Sequence, residues 1–223
     1  MSIFTLKIIA CITMILDHIK YAIPSTNGII TIYFGRIAFP LFAFLITEGY
    51  VHTNSLERYV KRLAIFALIS QIPFMLFRTL VGEWLMLNIM FTFLLGLLAI
   101  GVFDKIKNKI ISIPICLVII GLGEILRVDY GWFGVATVLI FYIFKQSRIW
   151  QVIMFSVLVA IYYYSKGIFN FITTKILLFY LFTILPAFLI CLYNGKLGRK
   201  MKYFFYWFYP VHLLIFYFVK FCF

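Results

Sequence analysis

Apolar runs of roughly 20 residues recur along this 223-residue chain, and no polar stretch between them is longer than a short loop. About 20 helical residues, rising 1.5 Å each, cross a hydrocarbon layer of about 30 Å. A soluble domain cannot hide a chain that is 65% hydrophobic and only 12% charged, with 27 Phe and 15 Tyr, so the solvent must be lipid. In lipid each backbone N–H and C=O has to be satisfied within the structure, and for runs of this length that means helices. The expected fold class is therefore all-α, a polytopic integral membrane helical bundle forming one transmembrane domain over residues 1–223.

Reading the runs between polar breaks gives nine predicted spans: 3–23, 28–50, 58–77, 84–103, 110–126, 131–145, 149–164, 174–194 and 203–222. The sixth and seventh are short enough to be tilted or re-entrant, so eight or ten crossings are also compatible with the pattern.

Every second loop is basic. Arg58, Lys61 and Arg62 follow span two; Lys105, Lys107 and Lys109 follow span four; Lys145 and Arg148 follow span six; Lys196, Arg199, Lys200 and Lys202 follow span eight. With Lys7 these make 13 cations on one side, against six on the other: Lys20, Arg78, Arg127, Lys166, Lys175 and Lys220. The positive-inside rule then puts the N-terminus in the cytoplasm and the C-terminus outside. Trp84, Trp132 and Trp150 fall at span starts and Trp207 one turn inside the last, as an interfacial belt requires. Between spans two and three, Asn54 with Glu57 three residues on reads as a capping box.

The net charge of +13 has its explanation in these topogenic loops, so nucleic acid is not an expected partner. Cys11, Cys116, Cys191 and Cys222 lie in apolar runs with no C-x-x-C spacing and read as reduced packing residues. The first apolar stretch lacks a small-residue cleavage signature and is expected to stay as an anchor. No Cys/His metal spacing, P-loop, G-x-G-x-x-G, H-E-x-x-H or G-x-S-x-G occurs, and no metal is expected.

Ionisable groups inside spans carry the functional signal, since each costs about 2.5–3.5 kcal/mol to place at a helix centre. Four stand there: Asp17, His18, Arg36 and His212. At 1.5 Å per residue they lie roughly 20, 18 and 14 Å from the cytoplasmic side for Asp17, Arg36 and His212, close enough to share one layer. Pro40 and Pro210 remove backbone donors near that level. Adjacent helical residues point about 100° apart, so Asp17 and His18 are expected to meet residues of other helices, Arg36 and His212 being the partners to look for. A buried Asp17–Arg36 ion pair and hydrogen-bonded core histidines are the structural alternatives.

A second group lies at the cytoplasmic mouth. Glu48 and His52 share a helix face, and Arg58, Lys61 and Arg62 follow at the start of the next helix, a set able to hold phosphates or simply a topogenic loop. Ser70, Gln71 and Asn88 are expected to bond between helices, and Glu124, Arg127 and Asp129 to ring an outer loop.

Three stretches, LKIIACITMILDHI, GRIAFPLFAFLITEGYVHT and RYVKRLAIFALISQIPF, resemble the N-terminal signature of the TraX family of bacterial membrane proteins, and FYPVHLLI resembles its C-terminal end. The likeness is dense over roughly the first 75 residues and thin from about 80 to 195. It implies a bacterial cytoplasmic-membrane acetyltransferase, related to the broader transmembrane acyltransferases and associated with N-terminal acetylation of conjugative pilin. The motif positions carried over are Asp17, His18, Arg36, Glu48, His52, Arg62 and His212. On this reading acetyl-CoA docks its phosphates near Arg58, Lys61 and Arg62, His18 or His212 is the base, and Asp17 positions Arg36 or a histidine. The acceptor is left open among peptide, lipid and glycan, as is homo-oligomer formation. A proton-coupled transporter or flippase and a noncatalytic assembly protein are the other classes these residues allow.

Overall fold

The computed structural model describes residues 1–26, 28–82, 85–168, 173–199 and 201–222, with the side chains of Ile29 and Lys202 left aside. The expected roles of Trp84, of Lys200 and of the Lys202 side chain lie outside the described residues. What is described is helix and short 3-10 turns, with one isolated bridge joining Leu87 and Val128. The helices are α1 (Ile3–Ala22), α2 (Ile29–Phe34), α3 (Ala38–Val51), α4 (Leu56–Thr79), α5 (Ile89–Lys105), α6 (Lys109–Ile125), α7 (Gly131–Ile143), α8 (Arg148–Ser165), α9 (Thr174–Cys191) and α10 (Lys202–Val219).

Polar residues start six of these helices, as unpaired terminal N–H groups demand. Ser2, Ser55, Asn88, Asn108, Ser147 and Thr173 each accept a bond from a backbone N–H in the first turn that follows. At α4 the expected cap moves by one residue: Ser55, not Asn54, takes the cap and accepts from the Arg58 N–H at 3.3 Å. Glu57 then occupies the second helical position, one short of what a capping box needs.

The second predicted span is broken into α2, a 3-10 turn at Gly35–Ile37, and α3. Pro40 accounts for the break. It has no N–H with which to bond the Arg36 carbonyl in α-helical fashion, and the chain tightens there, Ala38 N–H bonding Gly35 O instead. Pro40 itself lies in the first turn of α3, where a missing donor matters least. Pro210, by contrast, sits inside α10 and the helix continues through it.

Among the described residues four helical segments are long and apolar enough to cross a membrane: Ile30–Val51, Leu56–Thr79, Arg148–Ser165 and Thr174–Cys191. Gly131–Ile143 and Tyr203–Val219 are apolar but shorter. Large apolar side chains face outward along several helices, Ile72 of α4 at 70% exposure and Ile110 of α6 at 84% among them. Such a surface is disfavoured against water and is at home against lipid tails.

The helices gather into two compact units, Met1–Phe42 with Phe144–Phe223, and Ala43–Ile143. In the first, α1 packs on α2, on the Gly35–Ile37 turn and on α10, while α9 packs on α8, α2 and the same turn. In the second, α5 packs against α4, α6 and α7. Small residues let the latter backbones approach: a Cβ on Gly96 would come 2.6 Å from Val138 Cβ, and one on Gly134 would come 2.4 Å from Thr92 Cγ2. Asn88 ties the same unit together, its Nδ2 donating to Ala67 O at 2.7 Å and Gln71 Oε1 at 2.8 Å, while Gln71 Nε2 donates to Met86 O. Asn88 and Gln71 thus bond between elements as expected. Ser70 does not: its buried Oγ has no hydrogen-bond partner among the described residues.

Candidate functional site

Helix α1 is apolar for most of its length and changes character in its last third, where Asp17, His18 and Lys20 follow one another. Asp17 and His18 point in different directions, and each meets its own partner. Nδ1 of His18 lies 2.8 Å from Nε2 of His212 on α10. The two rings are within 14° of parallel with centroids 5.0 Å apart. That separation, much longer than the nitrogen–nitrogen distance, places the nitrogens on the facing edges: the rings meet in plane, through a hydrogen bond, rather than face on face.

His212 is held firmly. Its Nδ1 lies 2.8 Å from the Phe208 carbonyl one turn back, and Phe208 stacks on its ring at 4.8 Å and 9°. Tyr209 and Phe216 flank it, and the residue is 5% exposed. His18 is partly exposed.

Asp17 forms its ion pair within α1, Lys20 Nζ donating to Oδ1 at 2.7 Å, and the Lys20 side chain is only 8% exposed. Lys20 was counted only among the outer-side charges; its position three residues from Asp17 was the signal for this pairing. His18 and Arg36 also lie within electrostatic reach of the Asp17 carboxylate. The approach depends on Gly35, whose missing Cβ would stand 2.5 Å from Asp17 Oδ1. Arg36, next in sequence, lays its guanidinium over the Phe179 ring of α9 at 4.6 Å. Beside it Tyr163 and Thr183 share a 2.6 Å hydroxyl–hydroxyl bond, and Thr183 donates to the Phe179 carbonyl. These α8 and α9 residues carry no sequence signal, since Tyr and Thr in an apolar helix look like packing.

The predicted donor-side residues belong to the other unit. Glu48 is 5% exposed, and His52 Nδ1 lies 2.9 Å from the Glu48 carbonyl and 3.8 Å from its carboxylate. The expected shared face is therefore present, though the shorter contact makes His52 a cap on the end of α3. Arg62 lies over the Tyr59 ring at 5.5 Å, and Arg58 and Lys61 are exposed near the start of α4. A cation in a first helical turn opposes the helix dipole, so Arg58 gains nothing from it. The same unit holds a cluster sequence reading passed over: the Tyr50 and Tyr142 hydroxyls both donate to the Asp104 carboxylate, Tyr50 at 2.8 Å. A cavity of about 250 Å³ lined by Gln71, Met75, Met86, Leu87, Leu126 and Arg127, with neighbours, includes none of the predicted site residues. Glu124 accepts from the Trp132 N–H at 3.3 Å, joining the end of α6 to the start of α7 across the 126–130 loop.

Polar groups of α1, α10 and the Gly35–Ile37 turn thus form a hydrogen-bonded imidazole pair with a carboxylate flanked by two cations, a set able to move a proton and to steady a developing negative charge. A curated relative, the probable fimbrial assembly protein FimC, serogroup H1, of Dichelobacter nodosus, is 28% identical over 240 aligned positions that cover 96% of this chain and 93% of that protein. No solved structure matches. The family model described as TraX protein matches residues 2–220, so the likeness seen at the two ends extends through the thin middle, and the chain belongs to the TraX family.

Proposed function

We propose that this chain is a membrane acetyltransferase of pilus or fimbrial assembly, moving an acetyl group from acetyl-CoA to an amine, with a hydroxyl as the lesser alternative. The observation that carries the chemistry is the His18–His212 hydrogen bond between two apolar helices, where a packing role alone would have been filled by carbon. Membership of the TraX family and the fimbrial assembly role named for the relative support the pilus context. In this reading the imidazole pair takes the amine proton, Arg36 steadies the thioester oxygen as it gains charge, and Asp17 with Lys20 holds the local charge in balance. Arg58, Lys61 and Arg62 take the coenzyme phosphates, aided by the N–H groups that open α4. The path we propose crosses the cytoplasmic membrane nine times with the N-terminus inside.

Purified protein in lipid nanodiscs, given labelled acetyl-CoA and a panel of peptide, aminosugar and lipid amines, should transfer label to one class. Replacing Arg58, Lys61 and Arg62 together by Gln should raise the coenzyme Kd by about tenfold or more, equivalent to about 1.4 kcal/mol. Absence of both coenzyme binding and transfer, with pilus assembly intact in cells carrying His18→Gln, would replace the enzyme by a noncatalytic assembly protein.

A further inference from the structure

The hydrogen bonds of the imidazole pair have a direction that the heavy atoms define. A carbonyl oxygen only accepts, so Nδ1 of His212, at 2.8 Å from Phe208 O, carries a hydrogen. A neutral imidazole has one donor and one acceptor nitrogen, which leaves Nε2 of His212 with the lone pair. A second proton there would bury a charge on a ring that is 5% exposed and walled by Phe208, Tyr209 and Phe216. Nδ1 of His18, 2.8 Å from that lone pair, is then the donor, and in the neutral ring, the form that can act as a base, the lone pair of His18 is on Nε2.

We infer that the basic atom of the site is Nε2 of His18, and that His212 is a positioning residue which fixes the tautomer and plane of His18 through the order Phe208 C=O, His212 Nδ1–H, His212 Nε2, His18 Nδ1–H. The arrangement does for His18 what a carboxylate does for many catalytic histidines, with a neutral acceptor suited to an apolar surrounding. The role of His18 as base rests on the acyl-transfer reading; the tautomers do not. In the reaction the acceptor nitrogen bonds to the acetyl carbonyl carbon as its proton passes to His18 Nε2. The tetrahedral intermediate then collapses, the carbon–sulfur bond breaks, and the leaving thiolate takes the same proton from His18. His18 is neutral again at the end, and the products are the acetylated amine and coenzyme A thiol.

The chain has three histidines, His18, His52 and His212, so nitrogen-15 histidine labelling of the full protein in lipid bilayers gives a spectrum that single His→Gln variants assign. Solid-state NMR should find His18 and His212 both protonated on Nδ1, with a coupling between His18 Nδ1 and His212 Nε2 across the hydrogen bond. A proton on Nε2 of neutral His18, or an imidazolium at His212, overturns the assignment. In acetyl transfer, His18→Gln should reduce kcat by about 10²–10⁴-fold. His212→Phe, which removes the acceptor, should reduce kcat less and leave KM for acetyl-CoA unchanged, while His212→Gln, whose amide oxygen can replace Nε2, should recover part of the loss. If His212→Phe is as inactive as His18→Gln and the His18 signal keeps its Nδ1 proton in that variant, His212 is the base. If the native protein transfers no acetyl group, the acyl-transfer reading fails and the NMR result still decides the tautomers.

Discussion

Gly35→Ala tests whether the α1 approach to the Gly35–Ile37 turn is as tight as the structure makes it. The backbone there is ordinary right-handed helix, φ −57° and ψ −30°, so alanine is conformationally welcome. On that ground alone the change would stabilise by about 0.4–1 kcal/mol through the unfolded state. The added Cβ, however, would stand 2.5 Å from Asp17 Oδ1, 2.7 Å from its Cβ and 2.8 Å from its Cγ. Asp17 Cβ is fixed to the backbone of α1, so the helix itself has to shift, and overpacking of this kind costs about 1–3 kcal/mol. The steric effect wins, with a net loss of about 1–2 kcal/mol, or roughly 2–8 °C in Tm for a chain of this size. Gly121 of α6 supplies the control: nothing lies within 4 Å of a Cβ built there, so Gly121→Ala should stabilise by about 0.5–1 kcal/mol. Thermal unfolding in detergent micelles, followed by helical circular dichroism, reads both variants side by side. In an Asp17→Ala background, which deletes Oδ1 and Cγ, Gly35→Ala should cost measurably less, the coupling expected of groups in contact. A Gly35→Ala protein that melts at or above the native temperature, alongside Gly121→Ala, would refute the close approach and with it the placing of Asp17 against the turn.

Ser55→Ala should lower stability by about 1 kcal/mol while Asn54→Ala changes it little, and the reverse order in the same melts would return the α4 cap to Asn54. Asn88→Ala removes the α5 cap at Met90 N and two bonds to α4, for a loss of about 2 kcal/mol or roughly 4–8 °C; a shift under about 1 °C would mean those bonds contribute nothing in the membrane protein.

Much of the fold was legible because lipid imposes one rule on every segment: a run too apolar for water has to satisfy its own backbone and becomes a helix. The predicted runs 3–23, 58–77, 110–126, 149–164 and 174–194 accordingly match α1, α4, α6, α8 and α9 to within a few residues. Where local chemistry competes, the pattern blurs. Asn54 and Ser55 are both good caps, and only the backbone at Ser55, φ −153° and ψ 107°, shows which one turns its oxygen toward the helix. Pro40 marked the span as missing a backbone donor, but hydropathy did not show that the chain answers with a 3-10 turn after Phe34, since at Pro210 the helix runs on.

The candidate site divides along the same line. Hydropathy alone singles out Asp17, His18, Arg36 and His212, because a charge or an imidazole is costly wherever the solvent is hydrocarbon. Which side chain each one meets is a property of the packing. Helices α1 and α10 lie nearly the full chain apart in sequence, and only their contact turns His18 and His212 into a hydrogen-bonded pair. The rotation of α1 gives Asp17 to Lys20 of the same helix, and the fold of α8 and α9 lays Arg36 on Phe179 with Tyr163 and Thr183 nearby. Residue type decided that chemistry had to be buried here; helix rotation and contact, which no single sequence encodes locally, decided which nitrogen faces which.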